Sequence, residues 1–285
     1  MGTAFRHDRS DWPIKQTLLR WNERDVILYA LGLGYGADPA DPQSLRYIYE
    51  RNLLPIPTML TALTKMLVPT VEELGGNYKR SVHYSQEAVF HQAIEPAGSA
   101  LVYGYVQDII DRGSVHGALI NIVANMRDEI GQPLATLKST VLARDDGGFS
   151  GTPAARQSAI AAPARAPDHS KHISIMPHLA AIYRLSGDPS ALHIDPDAAI
   201  AAGFPSPILH GLCSYGIACR AVIETIAGHD PRRIRAHRAR FSAPMFPGET
   251  LRIDLWEEPE RQILFEAWVT ERNCRVLSEG CTWLH

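Results

Sequence analysis

The stretch from Tyr183 to Pro196 reads Tyr-Arg-Leu-Ser-Gly-Asp-Pro-Ser-Ala-Leu-His-Ile-Asp-Pro, and residues 207–215 follow as Pro-Ile-Leu-His-Gly-Leu-Cys-Ser-Tyr. Asp188 and His193 lie five residues apart, among residue types that favour turns over a continuing helix. Such a loop can aim a carboxylate and an imidazole at one point, as general acid–base catalysis requires. Gly211 stands at the predicted start of a long apolar helix, where unpaired backbone N–H groups point forward. These groups together suit the addition or removal of water next to a carbonyl.

The stretch resembles the signature of the R-specific 2-enoyl-CoA hydratases, the hydratase 2 or MaoC-like dehydratase family. That signature is roughly S-G-D-x-N-P-L-H-x-D-P, followed by P-I-L-H-G-L. The matching residues are Ser186, Gly187, Asp188, Leu192, His193, Asp195, Pro196 and the whole of 207–212. The chain departs from the signature where Ser190 replaces the Asn and Ala191 replaces the next Pro. The first half is similar to the non-catalytic half of eukaryotic hydratase 2 proteins, so the resemblance covers nearly the whole chain.

The resemblance assigns roles to four residues. Asp188 and His193 would hold a water molecule between them and act as base and acid, giving an (R)-3-hydroxyacyl product from a trans-2-enoyl thioester. The amide of Gly211 would bind the thioester oxygen, where negative charge develops. Ser190, which is shorter than Asn and offers one hydroxyl, would keep part of the contact with the water. The resemblance implies neither a metal nor a redox cofactor.

Hydrophobic patterning predicts the same order of elements in both halves of the chain. In the second half, a helix over about 208–227 precedes strands near 234–241, 250–257, 262–270 and 276–284. In the first half, an apolar helix at 59–67 precedes strands near 80–90, 99–111, 118–128 and 133–142. A further helix is predicted over 22–33, with Asn22 as its cap. Each half is therefore predicted to combine one helix with an antiparallel sheet.

Matching landmarks indicate an internal duplication. Tyr29 corresponds to Tyr183 at an offset of 154, and Pro55-Ile-Pro57 corresponds to Pro205-Ser-Pro207 at an offset of 150. The resemblance implies an α+β double hot-dog fold, in which a sheet wraps around a helix in each copy. We expect a non-catalytic, acyl-chain-binding repeat at 1–144, a linker at 145–171 and a catalytic repeat at 172–285. The first repeat has Gly34 and Pro39 opposite Asp188 and His193, so it lacks both chemical groups.

Composition limits the classes of partner. The chain has 285 residues, 45% of them apolar, with 28 basic and 31 acidic side chains. A net charge of -3 gives no reason to expect nucleic acid, and no apolar run is long enough to cross a bilayer. The N-terminus lacks an apolar signal core, so we expect a cytoplasmic enzyme, with a homodimer as a plausible assembly. The four cysteines have no close-paired metal spacing and are predicted to be reduced.

One dense basic run occurs in the second half, and it comprises Arg232, Arg233, Arg235, His237, Arg238 and Arg240. Strand alternation places Arg238 and Arg240 on the same side of the predicted strand. These two side chains are candidates for binding the phosphates of coenzyme A, because guanidinium groups match phosphate geometry. A solvated charged face is the alternative.

Two other functions stay open from the sequence. A hot-dog thioesterase would use a carboxylate to direct water at the carbonyl carbon, and a non-catalytic subunit would only bind acyl-CoA. The Asp–His pair, which only the second half carries, favours hydration. The shape of the acyl group and the physiological direction of the reaction are not encoded in these motifs.

Overall fold

The computed structural model describes residue 5, residues 8–150 and residues 160–285. The first repeat contains β1 (Ile14–Trp21), α1 (Glu23–Gly32), α2 (Leu45–Ile48), α3 (Met59–Leu63), β2 (Ser81–Phe90), β3 (Gly98–Asp111), β4 (Ala118–Arg127) and β5 (Pro133–Ala143). The second contains β6 (His169–Ser174), α4 (Leu179–Tyr183), α5 (Pro196–Ala201), α6 (Gly211–Thr225), β7 (Ile234–Phe241), β8 (Thr250–Glu258), β9 (Gln262–Val269) and β10 (Cys274–Leu284). Both repeats run in the order strand, helices and four strands.

The strands form a ten-stranded antiparallel sheet with a symmetric order. The order is β1-β3-β4-β5-β2-β7-β10-β9-β8-β6, so equivalent strands stand at equal distances from the centre. At the centre β2 pairs with β7, with Ser85 opposite Arg240 and Val89 opposite Ala236. An antiparallel pair of equivalent strands creates a two-fold relation between the repeats. The duplication inferred from sequence landmarks therefore appears as internal pseudo-symmetry.

The helices bring the same two-fold relation into the core. Tyr29 of α1 and Tyr183 of α4 are equivalent residues, and their ring centroids lie 5.8 Å apart. Gly216 of α6 packs so closely on α1 that a Cβ atom there would lie 2.6 Å from the Tyr29 hydroxyl oxygen. A residue that contacts its own equivalent lies near the two-fold axis. The core is therefore shared between the repeats.

Helix α6 is enclosed by its neighbours because nearly all of its residues are apolar or small. Eleven of its fifteen residues are buried, on all sides of the helix. A helix that is apolar all round must be covered all round, and here strands of the sheet cover part of α6 while α1 and α3 cover the rest. Together with its smaller counterpart α3, this helix gives the α+β double hot-dog architecture expected from the resemblance.

The N-terminal helix shows how local sequence sets an element. The side chain of Asn22 accepts hydrogen bonds from the backbone N–H groups of Arg24 and Asp25, and the Asp25 carboxylate accepts one from the Asn22 N–H. This capping box satisfies donors that the first helical turn leaves unpaired. The predicted start of the helix at Asn22 is confirmed.

The structure differs from the predicted elements in three respects. It contains two strands that were not predicted, β1 and β6. Strand β6 begins at His169, so the last three residues of the predicted 145–171 linker belong to the sheet. Nine of the 27 residues of the predicted linker, 151–159, lie outside the described residues. Helix α3 ends at Leu63, earlier than predicted, and turns follow it.

The predictions about the cysteines and about membrane-spanning segments can also be compared with the structure. Cys213, Cys219, Cys274 and Cys281 are all free thiols, as predicted, and all except Cys274 are buried. Within the described ranges, no helix combines the length and the apolar character needed to cross a membrane.

Candidate active site

The loop that carries Asp188 is fixed by contact with the first repeat. After α4 the chain makes a tight turn that ends at Gly187, whose φ of 128° lies in a region that favours glycine. A Cβ atom on Gly187 would lie 2.6 Å from the carbonyl oxygen of Ala62. The guanidinium of Arg184 also donates a hydrogen bond to the carbonyl of Pro189 at 3.2 Å. The close approach of two backbones therefore sets the position of the next residue, Asp188.

Hydrogen bonds orient both members of the pair. One carboxylate oxygen of Asp188 accepts from the backbone N–H of Ser190 at 3.2 Å. The Nδ1 atom of His193 lies 2.8 Å from the carbonyl oxygen of Ile208. Because a carbonyl can only accept, Nδ1 carries the proton in the neutral ring. The Nε2 atom of His193 is therefore left with a lone pair that can accept a proton.

The separation of the pair suits one water molecule. A carboxylate oxygen of Asp188 and ring nitrogens of His193 and His210 lie within 4.8 Å of one another. A water that donates hydrogen bonds of about 2.8 Å to two acceptors holds them roughly 4.5 Å apart. At this separation one water molecule can bridge the two groups.

The environment keeps His193 neutral. Burial lowers its pKa, because the charged ring would lose hydration, and the positive charge of Lys65 acts in the same direction. The Asp188 carboxylate and the Ile208 carbonyl oppose this shift without cancelling it. The neutral form of the ring, which can accept a proton, is therefore favoured.

Gly211 is the first residue of α6, directly after His210. Within the described chain no acceptor is recorded for its backbone N–H, as expected at the first helical turn. The dipole of this fifteen-residue helix favours negative charge at the same end. The ring of Phe241 packs here, 3.2 Å from where a Cβ on Gly211 would lie, so a larger residue would crowd the site. Gly211 thus offers a donor to a developing oxyanion.

Asp188, His193 and His210 also form a set of three potential metal ligands. The rings of His193 and His210 are stacked, with centroids 3.7 Å apart and an interplanar angle of 29°. The Nδ1 atom of His193 and the Nε2 atom of His210 each face a backbone carbonyl oxygen. Activity without a metal or redox cofactor stays a prediction.

Two other residues of the loop were considered from the sequence. Ser190 is partly buried, and it contributes its backbone N–H to Asp188; no hydrogen bond of its hydroxyl is recorded among the described residues. Its predicted contact with the catalytic water stays a prediction. The sequence Asp195-Pro196 is typical of a helix start with Asp as its cap, and Asp195 does cap α5, accepting from the N–H of Asp197 at 2.9 Å.

Arg238 and Arg240 lie on the sheet face that points away from α6. Their neighbour His237 points towards the helix, where its ring contacts Tyr215, and side chains alternate along a strand. The Arg240 guanidinium pairs with Glu279 at 2.9 Å and lies 4.6 Å from the ring centroid of Tyr84. The two arginines share one side of the strand, as the alternation predicted. Their binding of coenzyme A phosphates stays a prediction.

Sequence patterns did not reveal the first repeat's contribution to the site. Lys65 follows the Ala62 turn that packs on Gly187, and its charge acts on His193 and on His83. His83 contacts Phe241, with ring centroids 4.6 Å apart. These contacts join positions far apart in the chain, so no local motif could have marked them. The site is built from both repeats.

Comparison with known proteins identifies the family. The profile described as "MaoC like domain" matches residues 158–277, and "MFE-2 hydratase 2 N-terminal domain" matches residues 19–145. "Enoyl-CoA hydratase ChsH3" of Mycobacterium tuberculosis is 36% identical over 263 residues, which cover 90% of this chain and 91% of that protein. The chain belongs to the MaoC-like dehydratase family.

Two solved structures agree with the fold. The crystal structure of a MaoC-like dehydratase from Phytophthora capsici superposes with a TM-score of 0.85 at 32% identity and covers 96% of each chain. A Mycobacterium tuberculosis protein whose structure is described as a double hot-dog fold superposes with a TM-score of 0.61 at 14% identity, and it covers 100% of this chain and 99% of that one. The second similarity concerns the fold alone.

Proposed function

We propose that this MaoC-like protein catalyses the reversible syn hydration of a trans-2-enoyl-CoA to an (R)-3-hydroxyacyl-CoA. The observation that carries the proposal is that a carboxylate oxygen of Asp188 and a ring nitrogen of His193 lie within 4.8 Å of each other, close enough for one water molecule to bridge them. Gly211, next in sequence to the ring that stacks on His193, offers its N–H for the thioester oxygen. The names of the hydratase relatives support the same reaction class.

In the hydration direction, the oxygen of the held water bonds to C3 of the enoyl group. His193 Nε2 accepts one proton of the water while Asp188 accepts a hydrogen bond from the other O–H. The electron pair of the C2–C3 double bond moves towards the thioester, and the Gly211 N–H stabilises the negative oxygen. The imidazolium then returns its proton to C2 on the same face. One molecule of water is added, and His193 and Asp188 return to their starting states.

In this proposal the first repeat binds the acyl chain and takes no part in proton transfer. It carries Gly34 and Pro39 where the second repeat carries Asp188 and His193. Its sheet and helix α3 are free to accommodate the acyl chain. We further propose a cytoplasmic location, a possible homodimer, and activity without metal or redox cofactor.

The test is an assay with crotonyl-CoA and longer enoyl-CoAs that follows enoyl absorbance and free thiol together. Hydration removes the enoyl absorbance without releasing thiol, and treatment with a chelator should leave the rate unchanged. Release of thiol would instead identify a thioesterase. Binding of the thioester without either change would identify a non-catalytic acyl-CoA-binding subunit.

The pH profile should show the lowered pKa of His193. The neutral ring is the active form for hydration, so kcat/KM should fall as pH drops through a pKa below the ordinary value of 6.5. Replacing Lys65 by Gln removes a cation that lowers this pKa, so the acid limb should move to higher pH. Lys65→Arg keeps the charge and is the matched control. An acid limb at the same pH in the Gln variant would contradict the assigned role of Lys65.

A further inference from the structure

His210 contacts both members of the catalytic pair with one ring. The ring stacks on His193 at a centroid distance of 3.7 Å, and its Nε2 atom lies 3.2 Å from the backbone carbonyl oxygen of Asp188. His210 is 1% exposed, and its other face meets Tyr183 at a centroid distance of 5.0 Å. A buried ring in this position fixes the distance between the Asp188 backbone and the His193 side chain.

The hydrogen bond also defines the state of the His210 ring. Because the Asp188 carbonyl only accepts, Nε2 of His210 must carry the proton. The Nδ1 atom is then an acceptor, and it is buried with no hydrogen-bond partner among the described residues. Burial, helped by the nearby His193, lowers the pKa of His210 to about 4, so the ring is neutral near pH 7. A neutral ring can lie against His193 while His193 gains and loses a proton, whereas a charged one would repel the imidazolium.

The first repeat shows that the fold does not itself require histidine here. The offset of 150 places Leu60 opposite His210, and Leu60 is fully buried at the start of the non-catalytic repeat's central helix. An apolar side chain fills that position without leaving a buried polar atom unsatisfied. An unpaired buried acceptor costs roughly 1–3 kcal/mol. The imidazole therefore occurs in the repeat that carries the pair, despite its cost to stability.

We propose that His210 is a positioning residue that sets the geometry of Asp188 and the solvation of His193. The inference rests on the proposed function, in which His193 transfers the protons and Asp188 holds the water. Its hydrogen bond holds the Asp188 peptide, and its ring covers one face of His193 and excludes water. A displacement of about 1 Å in such a pair can lower a rate about 100-fold.

Two substitutions separate the two contacts. His210→Phe keeps an aromatic ring against His193 and loses the donor to Asp188. His210→Gln keeps an N–H near the position of Nε2 and loses the ring. We expect each variant to lower kcat about 10- to 100-fold while KM for crotonyl-CoA changes by less than about threefold. The acid limb of kcat/KM should move to higher pH in the Gln variant, because water then reaches His193, and should stay in place in the Phe variant.

His237→Gln is the matched control. His237 is also a fully buried histidine: its Nε2 donates to the backbone carbonyl of Tyr215 and its Nδ1 accepts from the Thr282 hydroxyl. The contacts of its ring are with Tyr215 and Phe265 rather than with Asp188 or His193. We expect this variant to lose thermal stability while kcat per folded molecule and the acid limb stay unchanged. Equal effects of the His210 and His237 substitutions on the pH profile would reduce His210 to an ordinary core residue.

An NMR titration of the His193 ring in the wild type and in His210→Gln tests the inference without substrate. The pKa of His193 should rise in the variant. An unchanged value overturns the inference, whether or not the protein hydrates enoyl-CoA. If the pKa of His193 rises in His210→Gln but the wild-type protein does not hydrate enoyl-CoA, only the proposed function is overturned.

Discussion

Replacing Asp188 with Asn or His193 with Ala is expected to lower kcat roughly 10²- to 10⁴-fold, with little change in KM. Each substitution removes a group that holds the water or transfers its proton, and neither removes a contact assigned to the coenzyme A moiety. Asn keeps the shape of Asp, so the Asp188→Asn protein can still accept the Ser190 N–H. The measurement is steady-state hydration of crotonyl-CoA over a range of substrate concentrations.

Asp195→Asn is the control for the carboxylate substitution. Asp195 belongs to the same segment, but its side chain caps α5 by accepting from the N–H of Asp197. Asn is also a good N-cap, so this variant should keep both its fold and its kcat. Normal turnover in Asp188→Asn or in His193→Ala would remove that residue from the mechanism.

The interior elements of the fold could be predicted because their burial is visible in the sequence. Strand β7, predicted over 234–241, spans Ile234–Phe241, and α6 lies inside the predicted 208–227 helix. The edge strand β1 was missed because it mixes polar and apolar residues on both faces: outward-facing Ile14 is 61% exposed, and inward-facing Lys15 forms an ion pair with Glu73. Edge strand β6 contains a single buried residue, Ile173, so its alternation carries little signal.

The site could be predicted where its residues are close in sequence. Asp188 and His193 lie in one loop with turn-forming neighbours, and Gly211 begins the helix that follows. The contacts of His210 depend on how that helix docks against the loop, so the sequence could not show which groups its ring touches. Periodicity placed the two arginines on one side of a strand but could not tell which sheet face would carry the helix. That choice depends on the path of the whole chain.

The two repeats depend on each other at the catalytic loop. The equivalent strands β2 and β7 join the two halves of the sheet, while the loop before Asp188 rests on the C-terminal end of α3. The repeat that lacks the pair therefore supplies the surface against which the pair is positioned. A change in this contact should affect the chemistry without altering any group that transfers a proton.

Gly187→Ala is expected to have the second largest effect on turnover, about 100-fold on kcat, because it acts at this contact. The new Cβ would lie 2.6 Å from the carbonyl oxygen of Ala62 and 3.5 Å from the Cα of Leu63, so the loop or the turn must move. Both neighbours are backbone atoms, which cannot rotate away as a side chain does. The φ of 128° adds strain for any residue with a Cβ. We expect a loss of stability of about 1–3 kcal/mol as well, measured by denaturant unfolding.

Gly203→Ala separates the effect of backbone strain from the effect of the contact with Ala62. Gly203 also has a positive φ, 87°, but nothing lies within 4 Å of the position that its Cβ would occupy. This variant should show backbone strain alone, with a modest loss of stability and nearly normal kcat per folded molecule. If the Gly187 and Gly203 variants lose stability equally and both keep their turnover, the contact between the repeats does not position Asp188. A selective fall of kcat in Gly187→Ala would show that the non-catalytic repeat sets the geometry of the catalytic one.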